Sequence, residues 1–71
     1  MFNLYDVVKL NHNRDNIGIK AGALGTVVDV LNYGEAYTVE FFDDNNKTIK
    51  KSLFTHFTAN ELDLLSPEDT K

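Results

Sequence analysis

The stretch Leu24 to Phe42, LGTVVDVLNYGEAYTVEFF, decides the fold. In its second half, Tyr37, Val39 and Phe41 alternate with Thr38, Glu40 and Phe42. Successive side chains of a strand point to opposite faces, so this period of two predicts a strand over 36–42 with one face buried. Residues 24–31 are rich in β-branched side chains and read as its partner. Asp29 assigns Val27, Asp29 and Leu31 to the outward face and Thr26, Val28 and Val30 to the core. A bulge at Gly25 is the point where that register can shift. Between the two strands, Asn32-Tyr33-Gly34-Glu35 reads as a tight turn, with Gly34 free to take a positive φ. The stretch is a β-hairpin.

Working outward, Asp43-Asp44-Asn45-Asn46 predicts a second turn, because Asp and Asn close turns with their own side chains and tolerate left-handed φ. Residues 47–54 (KTIKKSLF) then read as a further strand carrying Ile49, Lys51 and Leu53 on one face, with Lys51 at a rim and its stem covered. Upstream, residues 4–10 (LYDVVKL) form a short first strand. Residues 11–22 form a long polar loop whose Ile17 and Ile19 tuck back onto the core. Thr58-Ala59-Asn60-Glu61 matches a capping box around one helical turn, and residues 62–65 follow as a short last strand. Residues 66–71 are polar, hold the only proline and are expected to form a flexible tail. The expectation is an all-β domain over 1–65: a small five-stranded SH3-like barrel with one short helical turn before its last strand. Its expected core is Tyr37, Val39, Phe41, Val28, Val30, Ile49 and Leu53. Closing a sheet in this way removes most of its exposed edges.

Composition bounds the function. Seventy-one residues make one domain, and 42% hydrophobic residues supply a core for it. There is no cysteine, so neither disulfides nor thiolate metal sites exist, which points to a cytoplasmic protein. No basic region followed by an apolar run opens the chain, and no stretch approaches the roughly 20 apolar residues of a membrane helix. The formal charge is −4. An acidic domain repels the phosphate backbone that supplies most non-specific nucleic-acid affinity, so a nucleic-acid partner is disfavoured.

The segment 19–30 (IKAGALGTVVDV), followed by Gly34 to Phe41, Tyr5-Asp6-Val7-Val8 and Ala59-Asn60-Glu61-Leu62, resembles a bacterial family of short SH3-like barrel proteins, domain-of-unknown-function family 4926. The resemblance spans roughly residues 4–65 and rests on glycines at turns and valines in the core. It implies an SH3-like fold and a bacterial cytoplasmic setting, and it transfers no catalytic residue. The same glycine–valine segment resembles the KOW motif of ribosomal and transcription-factor barrels, although those modules are usually basic. In size and charge alone, the chain is similar to immunity and antitoxin proteins, small acidic domains that mask a basic toxin.

His12 and His56 stand far apart in the chain, and a structural metal site needs about four ligands at characteristic spacing. His12 with Asp15, or His56 with Asp63, imitates an acid–base pair but lacks the cleft and third group that general acid–base chemistry requires. No enzymatic activity, metal or cofactor is expected. Binding is the remaining class. Tyr33, Phe42 and Phe54 lie at turns or on the outward register, where aromatics serve equally to form an interface, in which they are enriched, or to cap the ends of the barrel. Glu35, Glu40, Asp43 and Asp44 would attract a basic partner. These seven residues are the candidate partner-binding set for another protein, with an antitoxin or immunity role toward the product of a neighbouring gene as the leading case. The alternatives are an accessory domain of a larger complex and a KOW-like nucleic-acid module. The latter would use Lys47, Lys50 and Lys51 with the aromatics beyond them. As a surface without function, those lysines simply guard a strand edge.

Overall fold

The computed structural model describes residues 1–65. The hairpin forms as read: β2 (Leu24–Leu31) pairs antiparallel with β3 (Ala36–Phe41). The turn between them carries three consecutive left-handed residues, Asn32, Tyr33 and Gly34. β1 (Val7–Leu10) adds to the other edge of β2, and β4 (Leu62–Leu64) adds to β1. The result is one four-stranded antiparallel sheet in the order β3-β2-β1-β4. A mostly β protein is what the alternation required.

The expected strand over 47–54 does not form. Only Thr48 bridges back, to Phe42, after which the chain makes the helical turn α1 (Lys50–Leu53). A continued strand would aim Lys51 along the same face as Ile49, and desolvating an unpaired ammonium costs several kcal/mol. In the turn, Lys50 and Lys51 stay exposed while Ile49 packs against the core. Buried Ser52 completes the exchange. Its hydroxyl accepts from the Phe41 N–H (3.1 Å) and donates to the Ile49 carbonyl (2.7 Å), so α1 caps a stretch of the β3 edge that a strand would have paired. Leu53, expected inside, is therefore exposed.

The second correction concerns β2. Val27 faces Val39 and Asp29 faces Thr38, which leaves Val28 as the extra residue of a bulge. A single inserted residue reverses the parity of everything before it. Val27 is therefore fully buried, Val28 is half-buried, and Val30 packs at the margin. The bulge falls at Val28 and not at Gly25. Gly25 is instead buried in the middle of the sheet, where a Cβ would meet Val39 Cγ1 at 2.7 Å, Phe41 Cδ1 at 2.8 Å and the Glu40 carbonyl at 2.9 Å.

The core comprises Val8, Leu10, Ile19, Val27, Tyr37, Val39, Phe41, Phe57 and Leu62. Ile19 and Ile17 do tuck back from the long loop, as their isolation in a polar segment suggested. Phe57 enters by pairing its backbone with Tyr37 and setting its ring edge-on to Phe41 at 5.2 Å. At the other end an N-terminal arm closes over Tyr37: the Phe2 N–H donates to the buried Tyr37 hydroxyl (3.1 Å), and the two rings meet edge to face at 5.2 Å. The predicted tail at 66–71 lies outside the described residues.

Candidate functional site

The most connected polar cluster is one that no local pattern announces. Glu61 closes the expected capping box: its Oε2 accepts from the Thr58 N–H (2.9 Å) and hydroxyl (3.1 Å). Its Oε1 meanwhile reaches across to the long loop, where it accepts from Arg14 Nη1 (2.7 Å) and His12 Nε2 (2.9 Å). Arg14 also lies over the Phe57 ring, 5.1 Å from its centroid. The Asn11 N–H donates to the Glu61 carbonyl at 2.9 Å. Burial raises the Glu61 pKa, but the donors from Thr58, His12 and Arg14 outweigh it and hold the carboxyl down at about 2. With both carboxylate oxygens engaged, this cluster fastens the long loop to the last turn. His12 thus meets Glu61, not Asp15, and Asp63 contacts Asn11, not His56.

A folded-state pKa below the ordinary 4.5 means that the folded protein binds the charged carboxylate more tightly. The resulting stability is fully present above pH 4.5 and drains away as pH falls toward 2. Glu61→Gln should lose about 1–2 kcal/mol at pH 7, the worth of hydrogen bonds to a charged group. Its melting temperature should then vary less than the wild type's between pH 4.5 and 2. Thermal melts across that window test this; parallel curves for the two proteins would refute it.

The seven candidate binding residues do not form one patch. Tyr33 and Glu35 sit at the β2–β3 turn, where Tyr33 is 96% exposed and Glu35 accepts from the Asn32 side-chain amide. Phe42, Asp43 and Asp44 sit at the far end of β3, six residues and about 20 Å away. Asp43 Oδ1 is committed to its turn, accepting from the N–H groups of Asn45 (2.8 Å) and Lys47 (3.0 Å), the side-chain closure foreseen for this segment. Glu40 lies between the ends and accepts the Thr48 hydroxyl at 2.6 Å. Phe54, 87% exposed, follows α1 and keeps company with exposed Lys50 and Lys51 rather than with the acids.

The turn end carries more than the sequence assigned to it. The N-terminal arm runs beside β2: Tyr5 N–H donates to the Val27 carbonyl (2.7 Å), and Met1 lies so close to Gly34 that a Cβ there would meet Met1 Sδ at 2.6 Å. The arm carries exposed Met1, Leu4 and Tyr5; Met1 reaches the turn that presents Tyr33, whereas Tyr5 sits level with Val27, midway along the hairpin. Tyr5 and Tyr33 both hold left-handed backbone, with φ of 70° and 60°. Non-glycine residues rarely adopt that conformation, and it costs roughly 1–2 kcal/mol each. Residues 1–6 and 29–38, the arm and the half of the hairpin nearest the turn, contain Asp6, Asp29 and Glu35 and no lysine or arginine. The arm's contribution had no sequence signal, because its position depends on contacts between residues 35 apart.

Among the described residues, no group of three or more His, Cys, Asp or Glu is placed to hold a metal, and no helix is long and apolar enough to cross a membrane. A family model described as Domain of unknown function (DUF4926) matches residues 4–53. No curated protein and no solved structure matches the chain.

Proposed function

The chain belongs to the DUF4926 family, and from its geometry we propose that it is a non-enzymatic binding module that docks a basic protein through its turn end. The observation that carries this reading is Tyr33, almost fully exposed on left-handed backbone, at a turn whose flanking residues include Asp29 and Glu35 and no lysine or arginine. Tyrosine brings large, rigid contact area at low entropic cost, and one or two such anchors supply most of an interface's affinity. Asp6, Asp29 and Glu35 would speed encounter with a basic surface and repel acidic ones. The scaffold reading is an SH3-like barrel. A long loop after β1, two tight turns, and a 3-10 turn at Ala59–Glu61 before a last strand that pairs with β1 all support it. In this reading α1 replaces most of the missing strand.

The leading specific case is an antitoxin or immunity protein that masks the basic product of a neighbouring gene. Co-expression with that product, followed by size-exclusion chromatography, tests it. A single co-eluting complex is expected, and Tyr33→Gly should weaken it by about 30-fold or more, as loss of an anchor worth 2 kcal/mol or more implies. The same substitution relieves a left-handed residue while adding glycine's chain entropy, so the melting temperature should barely move. Separate elution with no relief of toxicity would dispose of the antitoxin case.

A second reading rests on Lys47, Lys50 and Lys51, all exposed, with Phe54 exposed just beyond them. Cations beside an aromatic can hold phosphates and stack a base. Fluorescence-anisotropy titration with single-stranded RNA and DNA should give little binding near physiological salt. Salt-sensitive binding abolished by charge reversal of the three lysines would favour the nucleic-acid reading instead.

A further inference from the structure

At the end of β3 opposite Tyr33, the long loop and the second turn enclose an open groove of about 440 Å³. Gly18 to Ala23 form one wall; Phe42, Asp43, Asp44 and Ile49 form the other. Its floor is apolar, because Ile19 and Ile49 belong to the core or pack against it. The loop wall is held open by its own bonds: Asn13 Oδ1 accepts the Ala21 N–H (2.8 Å), and the Gly22 N–H donates to the Leu10 carbonyl (2.7 Å). Gly18 and Gly22 are both left-handed, and a Cβ on either would meet nothing within 4 Å, so the backbone there stands clear of other atoms.

The two carboxylates at the rim differ in kind. Asp43 is spent on its turn. Asp44 is exposed and makes no hydrogen bond or ion pair among the described residues. Phe42, 37% exposed, lies next to it. Lys20 lines the opposite wall.

We propose that this groove is a second binding site, independent of the turn end, for a single lysine or arginine carried on an extended segment of a partner protein. The aliphatic stem of such a residue would lie on Phe42 and Ile49 while its head reaches Asp44, the arrangement by which long cationic side chains cover apolar surface and keep their charge at the rim. Asp43, Asp44 and Lys20 give the lining a net charge of −1, which one cation neutralises, so one basic residue flanked by small or aliphatic neighbours fits better than a polybasic run. Backbone standing clear at Gly18 and Gly22 lets an extended chain approach without steric conflict.

The test uses the full chain, ¹⁵N-labelled, titrated to millimolar concentration with the acetylated, amidated peptide Ala-Val-Arg-Val-Ala. A second titration replaces the arginine by citrulline, which keeps the shape and removes the charge. Saturating shifts concentrated at residues 18–23 and 42–49 are expected. Both the citrulline peptide and Asp44→Asn should weaken binding about 5-fold or more, and Tyr33→Gly should leave it unchanged. Shifts gathered around Tyr5 and Tyr33, equal binding of the citrulline peptide, or no saturable binding would each overturn the groove proposal. Co-elution of the basic partner at the turn end is measured separately, so the two readings fail separately.

Discussion

Phe57→Ala should cost about 4 kcal/mol, enough to leave little or no folded protein at 37 °C. The ring is fully buried, sits edge-on to Phe41 and has the Arg14 guanidinium over its face. Removing it forfeits the transfer energy of a large aromatic and opens a cavity that a small β domain cannot collapse around; aromatic-to-alanine changes in cores cost 3–5 kcal/mol. A domain of this size has roughly 5 kcal/mol in hand. The backbone pairing of residue 57 with Tyr37 survives the substitution. Phe57→Leu should therefore recover most of the loss, keeping it below about 1.5 kcal/mol. Urea titrations of the three proteins measure the difference. An alanine variant within 1 kcal/mol of wild type would mean that the segment after α1 is not part of the cooperative core.

Gly25→Ala should be the most costly single-methyl addition, at about 2–3 kcal/mol. The new Cβ would fall 2.7–2.9 Å from three atoms at once, and one of them is the Glu40 carbonyl on the neighbouring strand. A side-chain contact can be relieved by a rotamer change, but a carbonyl moves only with its strand, so the cost falls at the upper end of the overpacking range. Gly22→Ala makes the informative comparison. It has open space but a left-handed backbone, so its penalty is conformational alone, about 1 kcal/mol. Chemical denaturation should rank the two variants in that order. The reverse order would show that strands β2 and β3 separate easily.

Features set by neighbours in sequence were legible, and features set by neighbours in space were not. The alternation of Tyr37, Val39 and Phe41, the glycine in the first turn, the Asp43 side-chain closure and the Thr58–Glu61 box are all written within four to six residues. For Tyr33, Phe42 and Phe54 the local pattern left exposure and capping of the barrel ends level, and the structure exposes all three. The bulge at Val28 was missed because one extra residue is visible only against the opposing strand. The helical turn at Lys50–Leu53 was missed because its sequence alternates like a strand, and only the cost of aiming Lys51 inward tells against one. The Arg14–Glu61 contact joins positions 47 apart, and the arm over Tyr37 joins positions 35 apart; neither leaves a local trace. The acidic candidates were grouped by sequence proximity, whereas β3 carries Glu35 and Asp44 to opposite ends.

The pairing of β1 with β4 has a consequence for how the protein comes into being. Leu10 meets Leu62 and Val8 meets Leu64, so the first strand synthesised waits for the last. A nascent chain that has emerged only as far as Leu53, where the family match ends, holds the β2–β3 hairpin but not Phe57, Leu62 or the Glu61 anchor for the long loop. Such a chain exposes Val8, Leu10 and Phe41, a surface inviting to chaperones and to other nascent chains. Folding is therefore completed by a late, long-range closure that waits for residues 57–64, and the high sequence separation of that closure sets its pace.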